Sequence, residues 1–169
     1  MKKILTAMAL LLASVSLFAA KPLKVVSGSP DVLKQDVTAT FTLDVSQASF
    51  ENKQDFKSWS GADYDTYVQL MNDSFFQYFN KYSTGMKLVK EDAPYNVVLD
   101  IRLFEEKMGI NFGQFSIKID GTVSVVDKAS GEVVCPMAIS GLKGAADFIS
   151  ADRFPKTMDT LCKEISKLK

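Results

Sequence analysis

Histidine is absent from this sequence of 169 residues, and cysteine occurs only twice. Nucleophilic catalysis by a Ser-His-Asp or Cys-His system needs an imidazole to move the proton, so both systems are excluded. Most catalytic zinc sites also use at least one histidine. We therefore expect a protein that is not an enzyme and that carries no cofactor or metal, with a carboxylate-based hydrolase as the weaker alternative.

An excess of either charge is also lacking, because 20 basic residues balance 20 acidic ones. Proteins that bind nucleic acid need a basic face against the phosphates, and this composition argues against such a face. After the N-terminal segment, no stretch is apolar enough to span a bilayer, which takes about 20 apolar residues. We expect neither nucleic-acid binding nor stable membrane insertion.

The N-terminal segment has the build of a secretory signal peptide. Lys2 and Lys3 precede an apolar run over residues 4–13, and small residues follow. We predict a signal peptide over residues 1–20, with cleavage after one of residues 16–20, and a single domain over 21–169. No cysteine lies near the junction. The sequence therefore predicts a soluble exported protein, periplasmic or secreted, without a lipid anchor.

Alternating apolar and polar residues, which are typical of strands with one buried face, recur along the chain. The alternation covers residues 36–50, 95–107 and 115–125. A turn-forming stretch at 127–131 separates the last of these from a return strand over 133–139. The two strands that flank this turn are predicted to form a long antiparallel hairpin.

Two segments carry apolar residues at helical spacing. The first follows Ser60 and holds an aromatic stripe, which consists of Tyr64, Tyr67, Val68, Met71, Phe75, Tyr78, Phe79 and Tyr82. The second follows Asp152 and carries Phe154, Met158, Leu161, Ile165 and Leu168. We interpret both stripes as faces packed on the sheet. The predicted fold class is α+β, an antiparallel, meander-type sheet with two helices packed on one face.

Three carboxylates, Asp44, Asp100 and Asp120, fall on the polar faces of predicted strands. Acid and base catalysis by two carboxylates needs environments that separate their pKa values. Nothing in the sequence indicates such environments. We interpret all three as solvated side chains and name no catalytic residue.

The two cysteines, Cys135 and Cys162, lie on the buried face of a predicted strand and beside the inward stripe of the last helix. An even cysteine count in an exported protein favours a disulfide. A helix packed on a sheet leaves about 7–8 Å between the two Cα atoms, whereas a disulfide requires about 4.4–6.8 Å. Two buried thiols are therefore the favoured state, and a disulfide is the alternative.

The connection EEKMGINFGQF, residues 105–115, carries Met108, Ile110, Phe112 and Phe115 on a glycine-containing segment between two predicted strands. These side chains either fold back into the core or form an exposed patch for a partner. The favoured interpretation is that Phe112 plugs the open end of the sheet. If the protein has a partner-binding face, we expect it to include this loop, because loops on rigid sheets often carry binding residues.

Several stretches together resemble known proteins. They are LKVVSGSPDVLK at 23–34, the helix that follows Trp59, GINFGQF at 109–115 and GTVSVVDKASGEVV at 121–134. They are similar to a family of uncharacterised exported proteins of Bacteroidetes. The order of elements is similar to the small α/β domain at the N-terminus of TolB and in several envelope lipoproteins. The resemblance implies an envelope accessory or scaffold role and carries over no catalytic residue.

The leading functional prediction is a non-enzymatic exported protein that binds or scaffolds a protein partner in the cell envelope. The alternative is a carrier of a small apolar ligand, held between the aromatic helix and the sheet. The two differ in the surface that they need, since the first uses an exposed patch and the second a concave site.

Overall fold

A computed structural model describes residues 21–168. The predicted signal peptide and its cleavage site, residues 1–20, lie outside the described residues. Within residues 21–168, no helix is both long enough and apolar enough to cross a membrane.

Eight strands form a single sheet in the described part of the chain. They are β1 (Leu23–Val25), β2 (Thr38–Asp44), β3 (Ser49–Phe50), β4 (Gln54–Asp55), β5 (Lys87–Leu88), β6 (Tyr95–Met108), β7 (Phe115–Asp127) and β8 (Val133–Lys143). The strand order is β1-β8-β7-β6-β2-β5, with β3 beside β6 and β4 beside β3. The long strands β6, β7 and β8 therefore form the centre of the sheet.

The sheet is mixed, so the prediction of an antiparallel meander is wrong in part. The strands β6, β7, β8 and β1 pair antiparallel, which confirms the hairpin predicted around residues 127–131. In contrast, β2 runs parallel to β6, from the Ala39–Tyr95 pair to the Asp44–Asp100 pair, and β5 runs parallel to β2. The physical reason is the connection, because the chain between β2 and β6 crosses over through a helix and returns in the same direction.

Residues 21–168 contain three α-helices, α1 (Phe56–Ser60), α2 (Tyr64–Tyr82) and α3 (Ser150–Ser166), and two short 3₁₀ helices, Pro30–Lys34 and Gly61–Asp63. The helical region begins before the predicted start at Ser60, because Asp55 caps it. The Asp55 carboxylate accepts a hydrogen bond of 2.8 Å from the backbone N–H of Ser58. The long helices α2 and α3 lie side by side, and the Tyr82 hydroxyl donates to Asp159 across their interface at 2.7 Å.

The core lies between these two long helices and one face of the sheet. The helices contribute Met71, Phe75, Phe79, Phe154, Met158, Leu161 and Ile165, and the central strands contribute Val97, Leu99, Ile101, Ile119, Val123 and Met137. All of these side chains are buried. The interpretation of the two apolar stripes as core faces is therefore confirmed for their inner members.

A bulge shapes the long hairpin formed by β6 and β7. The pairing shifts between Ile101 and Leu103, opposite Gly121. A Cβ added to Gly121 would overlap the carbonyl oxygen of Asp100, so only glycine fits at this close approach. Beyond the bulge, the two strands stay paired as far as Met108 and Phe115, which brings their connecting loop to the N-terminal end of α3.

Candidate functional site: an apolar tip

The loop between β6 and β7, residues 109–114, satisfies many of its own polar groups. The backbone N–H of Gly109 donates to the carbonyl of Gln114 at 2.7 Å, and the N–H of Gln114 donates to the carbonyl of Asn111 at 3.1 Å. The Asn111 side-chain amide also donates to Gln114 Oε1 at 3.1 Å. Gly113 has a φ of 84°, which favours glycine. The loop is thus a closed turn rather than an open connection.

A second segment, residues 144–149 between β8 and α3, lies beside this loop. Phe115 and Asp147 exchange two backbone hydrogen bonds, of 3.0 and 2.8 Å. A Cβ added to Gly109 would lie 2.8 Å from the Cβ of Ala146, and one added to Gly113 would lie 3.7 Å from the ring of Phe148. The two segments are therefore in contact and form one surface.

Five large apolar side chains, on these segments and at the adjoining end of β6, face solvent. Their exposed fractions are 64% for Met108, 104% for Ile110, 94% for Phe112, 62% for Phe148 and 60% for Ile149. We call this set the apolar tip. Large apolar side chains are usually buried, and a group of exposed ones is typical of an interaction surface. The interpretation of Phe112 as a plug is wrong, because its ring does not reach the core.

Arg153, from the first turn of α3, holds the base of the apolar tip. Its side chain is buried, and its Nε and Nη2 donate to the carbonyls of Asp147 and Phe148 at 3.1 Å each. Its Nη1 pairs with the Glu106 carboxylate on β6. The guanidinium also lies 5.1 Å from the centre of the Phe115 ring, within the range of a cation–π contact. One side chain thus connects α3 to the 144–149 segment and to the two strands that flank the 109–114 loop.

Three of the four residues predicted for a partner-binding loop, Met108, Ile110 and Phe112, belong to the apolar tip. The fourth, Phe115, is half-buried beneath Arg153 and belongs to its base. Sequence reasoning missed Phe148 and Ile149. A signal was present, because these two apolar residues precede the inward stripe of the last helix and match no strand or helix period.

The two cysteines are buried as free thiols, which is the state favoured over a Cys135–Cys162 disulfide. The Sγ of Cys162 donates to the carbonyl oxygen of Phe75 at 3.7 Å. Burial raises the pKa of both thiols. Both therefore stay protonated at neutral pH and are poor nucleophiles.

Carboxylates also meet on the sheet face that the helices leave uncovered. Asp44 and Asp100 are paired in register on β2 and β6. Hydrogen bonds from Ser46 lower the pKa of Asp44, whereas burial raises the pKa of Asp100. The Asp100 carboxylate accepts two hydrogen bonds from Arg102, of 3.0 and 2.6 Å. Asp100 is buried and paired with Arg102, which corrects the interpretation of Asp100 as a solvated side chain.

The third carboxylate of the polar faces, Asp120, accepts a hydrogen bond from the backbone N–H of Gly141 on the neighbouring strand. It therefore supports the pairing of β7 and β8. Within residues 21–168, no group of three or more histidine, cysteine, aspartate or glutamate side chains is placed to hold a metal ion.

A groove of about 500 Å³ opens beside α2 at the β2–β5 edge of the sheet. It is lined by Thr40, Phe41, Asn72, Asp73, Phe76, Val89 and Lys90. The space directly between the aromatic helix and the sheet is filled, since Phe75 is fully buried and its ring stacks on Phe41 at 4.3 Å. A small apolar ligand would therefore occupy this edge groove rather than the helix–sheet interface.

No family model matches the chain, and no curated protein matches it. Among solved structures, two PelC dodecamers from Paraburkholderia phytofirmans are similar to it. They have 9% and 10% identity and TM-scores of 0.46 and 0.41, over 87% and 83% of this chain and 98% of each PelC chain. A Xanthomonas campestris protein of family DUF330 has 12% identity and a TM-score of 0.43, over 83% of this chain and 89% of its own.

At these TM-scores the likeness carries no inference about function or assembly. None of the three structures bears on the resemblance to exported Bacteroidetes proteins or to the N-terminal domain of TolB. That resemblance stays a prediction.

Proposed function

We propose that this protein is a non-enzymatic binding protein of the cell envelope that is exported by its N-terminal segment and docks through the apolar tip. The observation that carries the proposal is the nearly complete exposure of Ile110 and Phe112. Moving one such side chain fully out of water contributes about 1.5–3 kcal/mol. The tip therefore holds enough apolar surface to drive binding.

Further support comes from the way in which the tip is presented. The paired strands β6 and β7, the backbone bridge between Phe115 and Asp147, and the bonds from Arg153 fix both segments to the folded domain. Binding by a surface that is already ordered loses little conformational entropy. The tip is therefore suited to docking, because it is both held in place by the fold and left exposed to solvent.

Retention on isolated cell envelopes tests the docking part of the proposal. Purified protein is mixed with envelopes and sedimented, and the double variant Ile110→Ser/Phe112→Ser is compared with wild type. Val133→Ser is the matched control, because Val133 is an exposed apolar residue at the start of β8, next to the β7–β8 turn and at the end of β7 that lies away from the tip. Wild type and control are expected in the pellet and the double variant in the supernatant. Equal retention of all three proteins would refute docking through the tip.

Mass spectrometry of protein from exporting cells tests the export part. We expect the loss of residues up to one of positions 16–20 and no added acyl group. An intact N-terminus would contradict export, and an acyl mass would contradict a protein without a lipid anchor.

The edge groove favours a second candidate function, the carriage of a small apolar ligand. Phe41, Phe76 and Val89 supply apolar walls, while Asp73 and Lys90 supply polar groups at the rim. Since a ligand that binds only the folded state stabilises it, fatty acids that fit the groove should raise the melting temperature. The rise should vanish in Phe76→Ser and persist in the tip variant. No shift with any such ligand would contradict carriage.

A further inference from the structure

The shape of the apolar tip limits what can cover it. Ile110 and Phe112 stand out from the closed turn almost fully exposed, and the ring of Phe148 lies beside the turn at Gly113. The surface is therefore a convex projection. A protein partner would have to supply a matching concave pocket. The acyl-chain region of a lipid bilayer is fluid and accepts such a projection without a complementary shape.

The size of the tip points in the same direction. A stable interface between two proteins uses about 20–30 residues on each side. The tip offers five large apolar side chains, and charged residues follow immediately behind it at Glu106 and Lys107. This is too small a surface to hold a second copy of the chain, but it suffices for shallow insertion into a lipid interface.

The chemistry of the tip permits entry into an apolar phase. No charged residue occurs between Lys107 and Lys118 in the β6–β7 loop and the start of β7. Three hydrogen bonds join polar groups within the loop, through Gly109, Asn111 and Gln114. Burial of an unpaired polar group or a charge would oppose insertion strongly. The loop lowers that cost, since the turn already pairs the groups that form these three bonds.

The rim of the tip is electrically balanced. Residues 105–116 and 143–156 together contain four basic and four acidic side chains. Several are paired, including Arg153 with Glu106 and Lys156 with Asp147. A balanced rim gives no attraction to anionic headgroups, in contrast to the polybasic segments that select them. Contact with lipid would therefore depend on apolar insertion alone.

We propose that the apolar tip binds the surface of a lipid bilayer by shallow, reversible insertion of Ile110, Phe112 and Phe148, independently of headgroup charge. This inference rests on the proposed docking function and names its partner. Insertion stops at the charged residues behind the tip, so the domain stays outside the bilayer. The contact is peripheral and differs from a membrane-spanning segment.

Co-sedimentation with phosphatidylcholine vesicles tests the inference, with the same vesicles containing phosphatidylglycerol for comparison. Wild type and Val133→Ser are expected to bind both kinds of vesicle equally, and raised salt should not weaken binding. The double variant Ile110→Ser/Phe112→Ser should bind at least tenfold more weakly, since each tenfold corresponds to about 1.4 kcal/mol and each lost side chain contributes more than that when buried.

A second measurement places the side chain itself. The variant Phe112→Trp should shift its fluorescence emission to the blue when phosphatidylcholine vesicles are added, whereas Val133→Trp should not. The native Trp59 contributes the same background to both proteins. An unchanged spectrum of Phe112→Trp in the presence of vesicles that sediment the protein would overturn insertion.

The remaining outcomes identify other occupants. Binding only to anionic vesicles, with loss at high salt, would overturn the inference in favour of electrostatic adhesion. Absence of vesicle binding, together with tip-dependent retention on envelopes, would overturn it in favour of a protein partner and leave the proposed function standing. Tip-dependent dimers in analytical ultracentrifugation would overturn it in favour of a second copy. Loss of both vesicle binding and envelope retention would overturn both proposals.

Discussion

Large apolar side chains on one long hairpin occupy opposite environments. Phe104 on β6 is fully buried and packs against Phe56 and Phe154, with ring centres 4.3 and 5.9 Å away. Phe112, eight residues further along the chain, is almost fully exposed. The helices cover the hairpin as far as Arg153 and no further. Exposure of the tip therefore follows from position along the hairpin and not from residue type.

Burial of apolar side chains can stabilise the fold or drive binding, and the two regions of the hairpin differ in which of these they serve. Burial of the aromatic cluster around Phe104 already contributes to the stability of the folded state. The apolar tip contributes little to folding, because its side chains remain in water in the folded protein. Their burial is still available to a binding event. Substitutions in the core, at the junction and in the tip should therefore change stability by decreasing amounts.

Removing a ring from the buried aromatic cluster should strongly destabilise the folded state. Phe104→Ala is expected to lower the free energy of unfolding by about 3–5 kcal/mol, because it leaves a cavity among packed rings. Denaturant unfolding measures the change. The same substitution at Phe112 is the matched control and should have almost no effect. Similar losses in the two variants would break the comparison between core and tip.

The junction between the two regions should respond at an intermediate level. Arg153→Ala removes bonds to two backbone carbonyls and to Glu106, and we expect a loss of about 1.5–3 kcal/mol in unfolding free energy, the range for hydrogen bonds to charged groups. Lys156→Ala is the control, since Lys156 pairs with Asp147 at a more exposed position and should cost less than about 1 kcal/mol. Equal effects would mean that Arg153 does not hold the tip.

Much of the fold could be predicted from local patterns. The inward stripe of α3 and the β7–β8 hairpin follow from spacing and from the turn at Asp127 and Gly131, so both predictions were confirmed. The partner of β2 could not be predicted in this way. Alternation over residues 36–50 indicates a strand but not its neighbour, and the neighbour depends on a crossover that only the tertiary structure reveals.

The candidate site could be predicted only in part, because local patterns do not encode tertiary contacts. No strand or helix period accounts for Met108, Ile110 and Phe112, which marks them as unusual. Their exposure depends on where the helix layer ends, which no local pattern encodes. Phe148 and Ile149 join them because β8 and α3 bring a distant segment beside the loop. The sequence thus identifies the unusual residues, and the fold decides that they form one surface.

Burial also changes the behaviour of a charged group, the carboxyl of Asp100. Burial raises the pKa of this carboxyl despite its bonds to Arg102, and the nearby Asp44 adds to the increase. A raised pKa means that the folded state prefers the protonated form, so stability contributed at low pH is lost as the pH rises through that pKa.

We therefore expect Asp100→Asn to be neutral or stabilising at pH 7, with a change of no more than about 1 kcal/mol because Arg102 is partly solvated. The variant should lose this advantage over wild type as the pH is lowered toward 3.5. Unfolding free energies of both proteins across this range provide the measurement. A variant that is clearly less stable than wild type at pH 7, with no dependence on pH, would show that the ion pair stabilises the fold.

The smallest effect on stability is expected where the proposed effect on function is largest. Phe112→Ser removes a ring that contacts almost nothing in the folded protein, so the free energy of unfolding should change by no more than about 0.5 kcal/mol, as for ordinary surface substitutions. Phe115→Ser is the matched control, because the half-buried Phe115 lies under Arg153 and its loss should lower the melting temperature measurably. A Phe112→Ser protein that melts as early as the Phe115→Ser protein would show that the exposed ring supports the fold, and the apolar tip could then not be a surface reserved for binding.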